Sequence, residues 1–231
     1  MNIIAIIPAR GGSKGLKNKN ILKVSGLPLI FHSINLAKKI PDIDDFFIST
    51  DSKKIKLIVE KKNIHVPFLR PKNLAKDNST DLDVIKHFYY WYKKKYLKKI
   101  DLLIHLRPTT PFRKVSTILN AIKIMKKNKN FDSLRSFVES DFPGFKLWLR
   151  DNDSAQLLVK SNKNYHSMGR QFIPKTFCHV GYIDILRPEK TILKNSMIGK
   201  KTFFFELNKD KEYYLDIDTK KDLVFTRNYK S

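Results

Sequence analysis

Residues 3–20 read IIAIIPARGGSKGLKNKN, an apolar run that passes directly into a loop of glycines and cations. The run is typical of a buried strand, and a glycine-rich cationic loop after a strand offers backbone N–H groups and positive charge to phosphates. The loop is not a P-loop, because Gly11 and Gly15 lie too close together and no Ser or Thr follows Lys14. The dinucleotide fingerprint does not match either. We interpret the loop as one that wraps a triphosphate, with a lysine-rich surface turn as the alternative.

The composition is that of a packed globular chain. It has 231 residues, 42% of them hydrophobic, which allows one sizeable core without disulfides. The single cysteine excludes an internal disulfide and is typical of a reducing compartment. No apolar run approaches the roughly 20 residues of a membrane helix, and no basic segment precedes the first apolar run. We therefore expect a cytoplasmic protein with no membrane partner.

The formal net charge of +24 raises the question of nucleic-acid binding, since clustered cations bind phosphate backbones. The lysines, however, lie in scattered short runs at expected helix ends, without an arginine–aromatic stripe or a recognition helix. We expect a solvated basic surface and no nucleic-acid partner.

Short apolar runs alternate with longer amphipathic segments over the first two thirds of the chain. Strands are predicted at 3–7, 46–50, 65–69, 101–106 and 132–137, and helices at 27–39, 52–62, 81–96 and 115–127. Such alternation implies right-handed crossovers and a mostly parallel sheet with helices on both faces. The predicted fold is therefore α/β and Rossmann-like, in a single domain over 1–231.

The pattern changes after about residue 142. Residues 144–151 and 154–161 read as two strands of a hairpin, joined by an Asp-Asn-Asp turn. Two further strands, and a strand that passes into a terminal helix, are predicted at 178–186, 201–208 and 213–226. We interpret 143–176 as a β-rich arm inserted into the domain.

Polar loops follow most of the predicted strands directly. In an open sheet of this kind, ligands bind at the carboxyl ends of the strands, where the strand order reverses. Four segments fall along that edge: PARGGSKG at 8–15, STDS at 49–52, RPKNLAKDNSTD at 70–81 and RPTTPFR at 107–113. We expect them to converge on one site.

Together these segments resemble the CMP-sialic acid (acylneuraminate) synthetases, the cytidylyltransferases that make CMP-activated sugar acids. The resemblance runs in order over nearly the whole chain, with GRQFIPKTF at 169–177 and LDIDTKKDL at 215–223 as its later motifs. It implies a Rossmann-like nucleotidyltransferase sheet and two substrates, CTP and a 2-keto sugar acid. It also implies a homodimer in which the arm at 143–176 closes the neighbouring subunit's site.

The resemblance further implies a nucleotide site made by two loops. The first loop surrounds the CTP phosphates with Arg10, Gly11, Gly12, Ser13, Lys14, Lys19 and Asn20. The second loop binds cytosine and ribose with Arg70, Asp77, Ser79 and Asp81. Arg10 and Lys19 are expected to act in catalysis, because they neutralise developing negative charge. A surface salt bridge is the alternative for Arg70.

Two carboxylates near the C-terminus are the candidate metal ligands. Asp216 and Asp218 are two residues apart, so in a strand their side chains point to the same side. Such a pair beside a triphosphate suits Mg²⁺, which takes oxygen ligands together with phosphates and water. We expect Asp216 to be the stronger ligand and a catalytic residue. Capping of the last helix is an additional reading for Asp218.

On the acceptor side, the resemblance implies the substrate-binding residues Arg107, Thr109, Lys146, Arg170 and Gln171. Arg170 is expected to face the acceptor's carboxylate, since a guanidinium pairs with that group through two hydrogen bonds. The chain departs from the sialic-acid pattern at Arg107, at Val180–Tyr182 and at Asp184. The acceptor is therefore left open between N-acetylneuraminate and a related nonulosonic acid.

The expected reaction is attack by the anomeric hydroxyl of the sugar acid on the α-phosphate of CTP, with release of pyrophosphate. Positioning and charge neutralisation would supply most of the catalysis. Two alternatives stay open: the same reaction with another sugar acid such as Kdo, and a non-catalytic module that binds a nucleotide or a nucleic acid.

Overall fold

Strand β1, Ile3–Pro8, lies inside the sheet, where both of its faces are covered. Its alternate side chains pack into two separate apolar clusters, as the period of two in a strand requires. One cluster includes helices α1 (Leu29–Lys38), α2 (Lys53–Glu60) and α4 (Val115–Lys127), and the other includes α3 (Asp81–Tyr96). The predicted covering of the sheet by helices on both faces is confirmed.

The structure is a computed structural model that describes residues 1–13, 15–209, 212 and 214–227. Its further strands are β2 (Lys23–Val24), β3 (Leu27–Pro28), β4 (Asp45–Ser49), β5 (Leu102–His105), β6 (Ser133–Glu139), β7 (Trp148–Asp151), β8 (Ser154–Leu157), β9 (Phe177–Leu186) and β10 (Thr202–Glu206). Helix α5, Lys220–Arg227, ends the described chain.

The central sheet has six strands in the order β10-β6-β9-β5-β1-β4. All neighbours pair in parallel except β9, which is antiparallel to both β5 and β6. The prediction of a mostly parallel α/β sheet is therefore confirmed. Because β9 runs backwards, the chain leaves β6 and re-enters β9 at the same edge of the sheet.

The segment predicted as a strand at 65–69 is irregular, so this prediction is wrong. Pro67 lies in its middle and has no N–H to donate to a ladder. The segment is anchored all the same, because Val66 is buried and the Arg70 N–H donates to the Thr50 carbonyl at 2.7 Å. It still delivers Arg70 to the carboxyl end of β4.

The strand predicted ahead of the terminal helix is also wrong over the described residues 214–218. The predicted segment began at residue 213, which lies outside the described residues. A buried residue, Ile217, donates its N–H to the Thr109 carbonyl at 2.9 Å. This contact pins the segment to the loop after β5 without forming a ladder.

The hairpin of the arm is present as β7 and β8, with the left-handed Asn152 at its turn. Nearly every residue of the hairpin is exposed. The arm is closed at its base, where the Ser140 N–H donates to the Thr176 carbonyl at 2.8 Å. Among the described helices, none is both long and apolar enough to cross a membrane.

Candidate active site

A cavity of about 280 Å³ opens at the carboxyl edge of the sheet, as the loop positions predict. Its lining comes from three of the four predicted segments and, at Lys19, Asn20 and Val84, from residues just beyond them. The lining residues are Pro8, Arg10, Ser13, Lys19, Asn20, Arg70, Leu74, Lys76, Asp77, Ser79, Asp81, Val84, Arg107, Pro108 and Thr109. The fourth segment, at 49–52, supports the cavity from behind. Its Asp51 accepts a hydrogen bond from the Gly11 N–H at 2.9 Å and lies 3.7 Å from Arg70 Nη2.

The loop after β1 is held by its own polar groups. The buried Asn20 donates its amide to the Arg10 carbonyl at 2.9 Å, so this amide serves the loop's shape. The Gly11 N–H likewise donates a hydrogen bond within the chain, to the Asp51 carboxylate. Gly12 does not line the cavity and stays a prediction, and Lys14 lies outside the described residues.

A close contact joins this loop to the C-terminal segment. A side chain at Gly15 would collide with the carbonyl oxygen of Asp218, so only glycine allows this approach. Nearby, Lys19 Nζ forms an ion pair of 2.6 Å with the carboxylate of Asp218. Two regions some 200 residues apart in sequence therefore meet at Lys19, a residue that lines the cavity.

The loop at 70–81 faces the loop after β1 across the cavity. Arg10 Nη1 spans the gap, at 3.2 Å from both the Lys76 carbonyl and the Asp77 carboxylate. Arg70 is only 4% exposed, so the alternative of a surface salt bridge is wrong for it. Burial lowers the pKa of Arg70 from its ordinary value, and the charge of Asp51 opposes that shift.

The two candidate metal ligands have different surroundings, because they do not share a strand face. Asp216 is partly buried, and its Oδ1 accepts hydrogen bonds from Thr109, at 2.9 Å, and from Thr110. Among the described residues, no group bonds to its Oδ2. The Asp218 side chain is 68% exposed and bonds Lys19. Asp216 therefore has the more strongly fixed carboxylate.

Helix α5 is capped by a different residue from the one predicted. The Thr219 hydroxyl accepts a hydrogen bond from the Asp222 N–H at 3.3 Å, and the Asp222 carboxylate accepts one from the Thr219 N–H at 2.7 Å. This reciprocal pair is a capping box. The reading of Asp218 as the cap is wrong, and its carboxylate instead pairs with Lys19, which lines the cavity.

Arg113, the last residue of RPTTPFR, is a supporting residue that the sequence analysis missed. Its buried guanidinium donates to the carbonyls of Arg107, at 2.7 Å, Gly181, at 3.1 Å, and Tyr182. Burial lowers the pKa of Arg113 to about 10, against the opposing charge of Asp216, so it is protonated at neutral pH. It fixes the loop that follows β5.

A second missed group surrounds Asp184, which is fully buried on β9. Its carboxylate lies 2.8 Å from Arg107 Nη1, 3.0 Å from Arg135 Nε, 3.0 Å from His179 Nε2 and 3.8 Å from His105 Nδ1. Burial disfavours the charge of Asp184, but the two histidines and the two guanidinium groups hold its pKa well below the usual range. We name Asp184, Arg135 and His179 the β9 cluster.

Arg107 joins the β9 cluster to the nucleotide loops. Its Nη1 bonds Asp184, and its Nη2 bonds Asp81, the first residue of α3, at 2.7 Å. Two of the positions at which the chain departs from the sialic-acid pattern are therefore ion-paired with each other. The third, Tyr182, is fully buried and accepts a hydrogen bond from the Lys114 N–H, so it supports the loop from behind.

The family described as Cytidylyltransferase matches residues 4–224, a span that includes every segment around the cavity. The chain belongs to the cytidylyltransferase family. The predicted family and the α/β fold are thereby confirmed.

Several relatives of this cytidylyltransferase carry functional names. The N-acylneuraminate cytidylyltransferase of Streptococcus agalactiae is 33% identical over 97% of this chain but only 52% of its own length, so the chain spans about half of that relative. The CMP-N,N'-diacetyllegionaminic acid synthase of Campylobacter jejuni is 30% identical over 95% of this chain and 91% of its own length.

Solved structures share the fold of this cytidylyltransferase. A CMP:2-keto-3-deoxy-manno-octonic acid synthetase complexed with CTP has a TM-score of 0.69 at 17% identity, covering 98% of this chain and 97% of its own. The 4-diphosphocytidyl-2C-methyl-D-erythritol synthase of Anaerococcus prevotii has a TM-score of 0.66 at 14% identity, covering 99% and 95%. At these identities the likeness shows the fold alone.

Three predicted acceptor residues of the cytidylyltransferase lie on the arm, outside the cavity. They are Lys146, Arg170 and Gln171. Arg170 instead lines a separate cavity of about 310 Å³, together with Glu139, Asp141 and Lys209. Eight of the predicted nucleotide-site residues line one cavity with Arg107 and Thr109: Arg10, Ser13, Lys19, Asn20, Arg70, Asp77, Ser79 and Asp81. Their roles, like those of the arm residues, stay predictions.

Proposed function

We propose that this cytidylyltransferase transfers CMP from CTP to the anomeric hydroxyl of a nonulosonic, sialic-acid-like 2-keto sugar acid and releases pyrophosphate. One observation carries the proposal: a single cavity is lined by the cationic loop after β1, the loop that ends at Asp81 and the loop that fixes Asp216. The names of the relatives, N-acylneuraminate cytidylyltransferase and CMP-N,N'-diacetyllegionaminic acid synthase, support this acceptor class.

The charges of the cavity-lining residues support the assignment of a nucleotide site. Arg10, Ser13 and Lys19 line one side of the cavity, where they would hold the triphosphate and neutralise the leaving pyrophosphate. Arg70, Asp77, Ser79 and Asp81 line the other side and would bind cytosine and ribose. Polar groups that are buried against the base would reject a nucleotide with a different pattern of donors.

The carboxylates fit a magnesium ion. Mg²⁺ is usually bound by one or two carboxylates together with substrate phosphates and water. Asp216 offers an oxygen, Oδ2, with no bonding partner among the described residues, and it is bonded by Thr109, which lines the cavity. Asp218 is bonded by Lys19, which also lines the cavity. A bound Mg²⁺ would supply neutralisation of charge on the α-phosphate. Thr109 and Thr110 orient the carboxylate that would hold it.

We also propose a homodimer that forms through the arm, in the cytoplasm. Large apolar side chains are exposed in this region, among them Phe142, Trp148, Leu149, Leu158 and Phe172. Exposed apolar side chains concentrated in one segment are typical of an interaction surface. The single cysteine, Cys178, agrees with a reducing compartment.

Pyrophosphate release tests the reaction directly. The chain would be incubated with Mg²⁺, CTP and one acid from a panel of N-acetylneuraminate, legionaminate, pseudaminate and Kdo, with UTP as the control nucleotide. Release with one of the first three acids, and none with UTP, is the expected result. Release with Kdo alone would favour the alternative acceptor. CTP binding without release from any acid would favour a non-catalytic nucleotide-binding module.

A further inference from the structure

Building on the proposed function, we infer that Arg135 binds the carboxylate of the acceptor, in a subsite that Asp184 holds in place within the same chain. This assignment differs from the one that the family resemblance suggests, which placed the carboxylate against Arg170 on the arm.

The position of the β9 cluster is the first argument. The sheet order places β4 and β1, whose loops line the nucleotide half of the cavity, on one side of β5. Strands β9 and β6, which carry the β9 cluster, lie on the other side. Arg107, in the loop after β5, contacts both halves. An acceptor bound on the opposite side of β5 from the nucleotide loops would lie beside Arg107, and the β9 cluster occupies that position.

The strand register places the β9 cluster at the carboxyl end of β5, level with the cavity loops. Asp184 lies opposite His105, the last residue of β5, and opposite Arg135 on β6. It therefore lies level with the carboxyl end of the central strand. Asp216 is close by, because a Cβ added at Gly181 would lie 2.7 Å from Asp216 Oδ2 and 3.2 Å from Arg107 Cδ. Only glycine fits against that carboxylate.

The hydrogen-bond inventory supplies the second argument. A carboxylate has about four lone-pair positions, and Asp184 fills them with Arg135 Nε and His179 Nε2 on Oδ1 and Arg107 Nη1 and Arg135 Nη2 on Oδ2. The described residues offer no partner to Arg135 Nη1 or to His179 Nδ1. Asp184 is therefore saturated, while Arg135 keeps a free N–H donor at Nη1. A neutral His179 that donates its Nε2–H to Asp184 has only a lone pair on Nδ1, so it helps to hold Asp184 and does not bind an anion.

The side chains around Asp184 are partly exposed. The Arg135 side chain is 20% exposed and that of His179 is 31% exposed, whereas Asp184 is fully buried behind them. A guanidinium fixed at one edge by a buried carboxylate presents its remaining N–H groups in a constant direction, which suits a planar anion. Arg107 is less suitable, because both of its terminal nitrogens already bond carboxylates.

The anionic oxygen that binds at Arg135 could belong to the acceptor's carboxylate or to a phosphate of CTP. The KM values of the two substrates distinguish these sources. Apparent KM values for CTP and for the active acid of the panel would be measured by pyrophosphate release with Arg135→Gln, Arg135→Lys and Arg170→Gln. The methyl ester of the same acid would be the probe without a carboxylate charge. Lys123→Gln, at an exposed position of α4, removes one positive charge as the control.

For Arg135→Gln we expect the KM of the acid to rise about 10- to 100-fold, the range for a lost charged hydrogen bond. The KM of CTP should stay within about twofold, and the preference for the acid over its ester should fall by the same factor as the acid's affinity. Arg135→Lys keeps the positive charge and the reach to Asp184 but lacks the planar guanidinium group. Its KM for the acid should therefore lie between those of the wild type and Arg135→Gln. The lysine variant also keeps the test valid if the glutamine variant does not fold.

Three results would overturn the inference while leaving the proposed function intact. One is an acid KM for both Arg135 variants equal to that of Lys123→Gln. Another is a rise in the KM of CTP alone, which would assign Arg135 to a phosphate. The third is loss of the preference over the ester in Arg170→Gln and not in either Arg135 variant. No release by the wild-type chain with any acid would instead overturn the proposed function, and this subsite with it.

Discussion

The loops around the cavity and the arm at 143–176 are supported in opposite ways. The cavity loops have polar groups packed behind them, such as the buried Asn20 and Arg113 and the partly buried Asp51, so their shape is fixed within the chain. The arm has a hairpin with almost no buried side chain and several exposed apolar ones. The difference supports two proposals: that one chain holds the nucleotide, and that the arm packs against a second subunit.

The largest effect should separate the two regions by stability. Phe88 is fully buried in α3 and contacts the rings of Phe47, Trp91 and Tyr92, so Phe88→Ala should lower the free energy of unfolding by about 3–5 kcal/mol. Trp148→Ala, in the exposed hairpin, should change it by less than about 0.5 kcal/mol in the separated subunit. Urea unfolding at low protein concentration measures both. Equal losses would show that the arm has a core of its own.

The next effect tests the cavity alone. Asp216→Asn should lower turnover by about 100-fold or more, because the fixed carboxylate would no longer hold a divalent cation at full charge. CTP affinity, measured by calorimetry, should change much less. Asp218→Asn is the matched comparison and should have a smaller effect, since its carboxylate is exposed. A larger loss with Asp218→Asn would reverse the assignment of the stronger ligand.

A third change tests the arm alone. Phe172 is 69% exposed in the isolated chain, and Phe172→Asp should weaken the dimer by about 10-fold or more if this side chain is buried between subunits. Light scattering over a concentration series measures the shift, and circular dichroism should show an unchanged fold. Lys123→Gln is the control for a changed surface charge. A wild-type chain that is monomeric at every concentration would contradict the proposed role of the arm.

The smallest effect compares two local hydrogen bonds. Thr80 caps α3 through a capping box with Asp83, so Thr80→Ala should cost about 1 kcal/mol of unfolding free energy. Ser154 bonds the Asp151 carbonyl in the turn of the exposed hairpin, and Ser154→Ala should change the stability by less than about 0.5 kcal/mol. Thermal unfolding of the two variants gives the order. A reversed order would mean that the hairpin turn contributes more than its exposure suggests.

The sheet and the nucleotide half of the site were predictable from local pattern. Strand β1 is a continuous apolar run, and the loop that follows it contributes four cavity-lining residues that are close in sequence: Arg10, Ser13, Lys19 and Asn20. The errors at 65–69 and 214–218 have one origin: apolar residues there are buried as irregular segments by single long-range contacts, such as that between Ile217 and Thr109. Periodicity cannot distinguish such burial from that of a strand.

The β9 cluster could not be predicted in the same way. Arg135, His179 and Asp184 are separated by up to 49 residues and meet only through the register of β6 against β9. That register includes an irregularity between Arg135 and Phe137 on β6, which no local pattern of side chains reveals. Arg113, by contrast, lies within the motif RPTTPFR. An arginine in such a turn is a signal in itself, because its guanidinium can donate to the several backbone carbonyls of the turn.

The hydrogen bond between Ser140 and Thr176 gives the arm a property useful for engineering. Both ends of the arm leave the sheet side by side, at the point where antiparallel β9 returns along β6. An insertion with adjacent ends can change in length or sequence without moving the strands that anchor it. The arm is therefore a segment that can be exchanged. In the proposed dimer, exchanging residues 141–175 between relatives offers a route to new subunit pairings while the sheet stays unchanged.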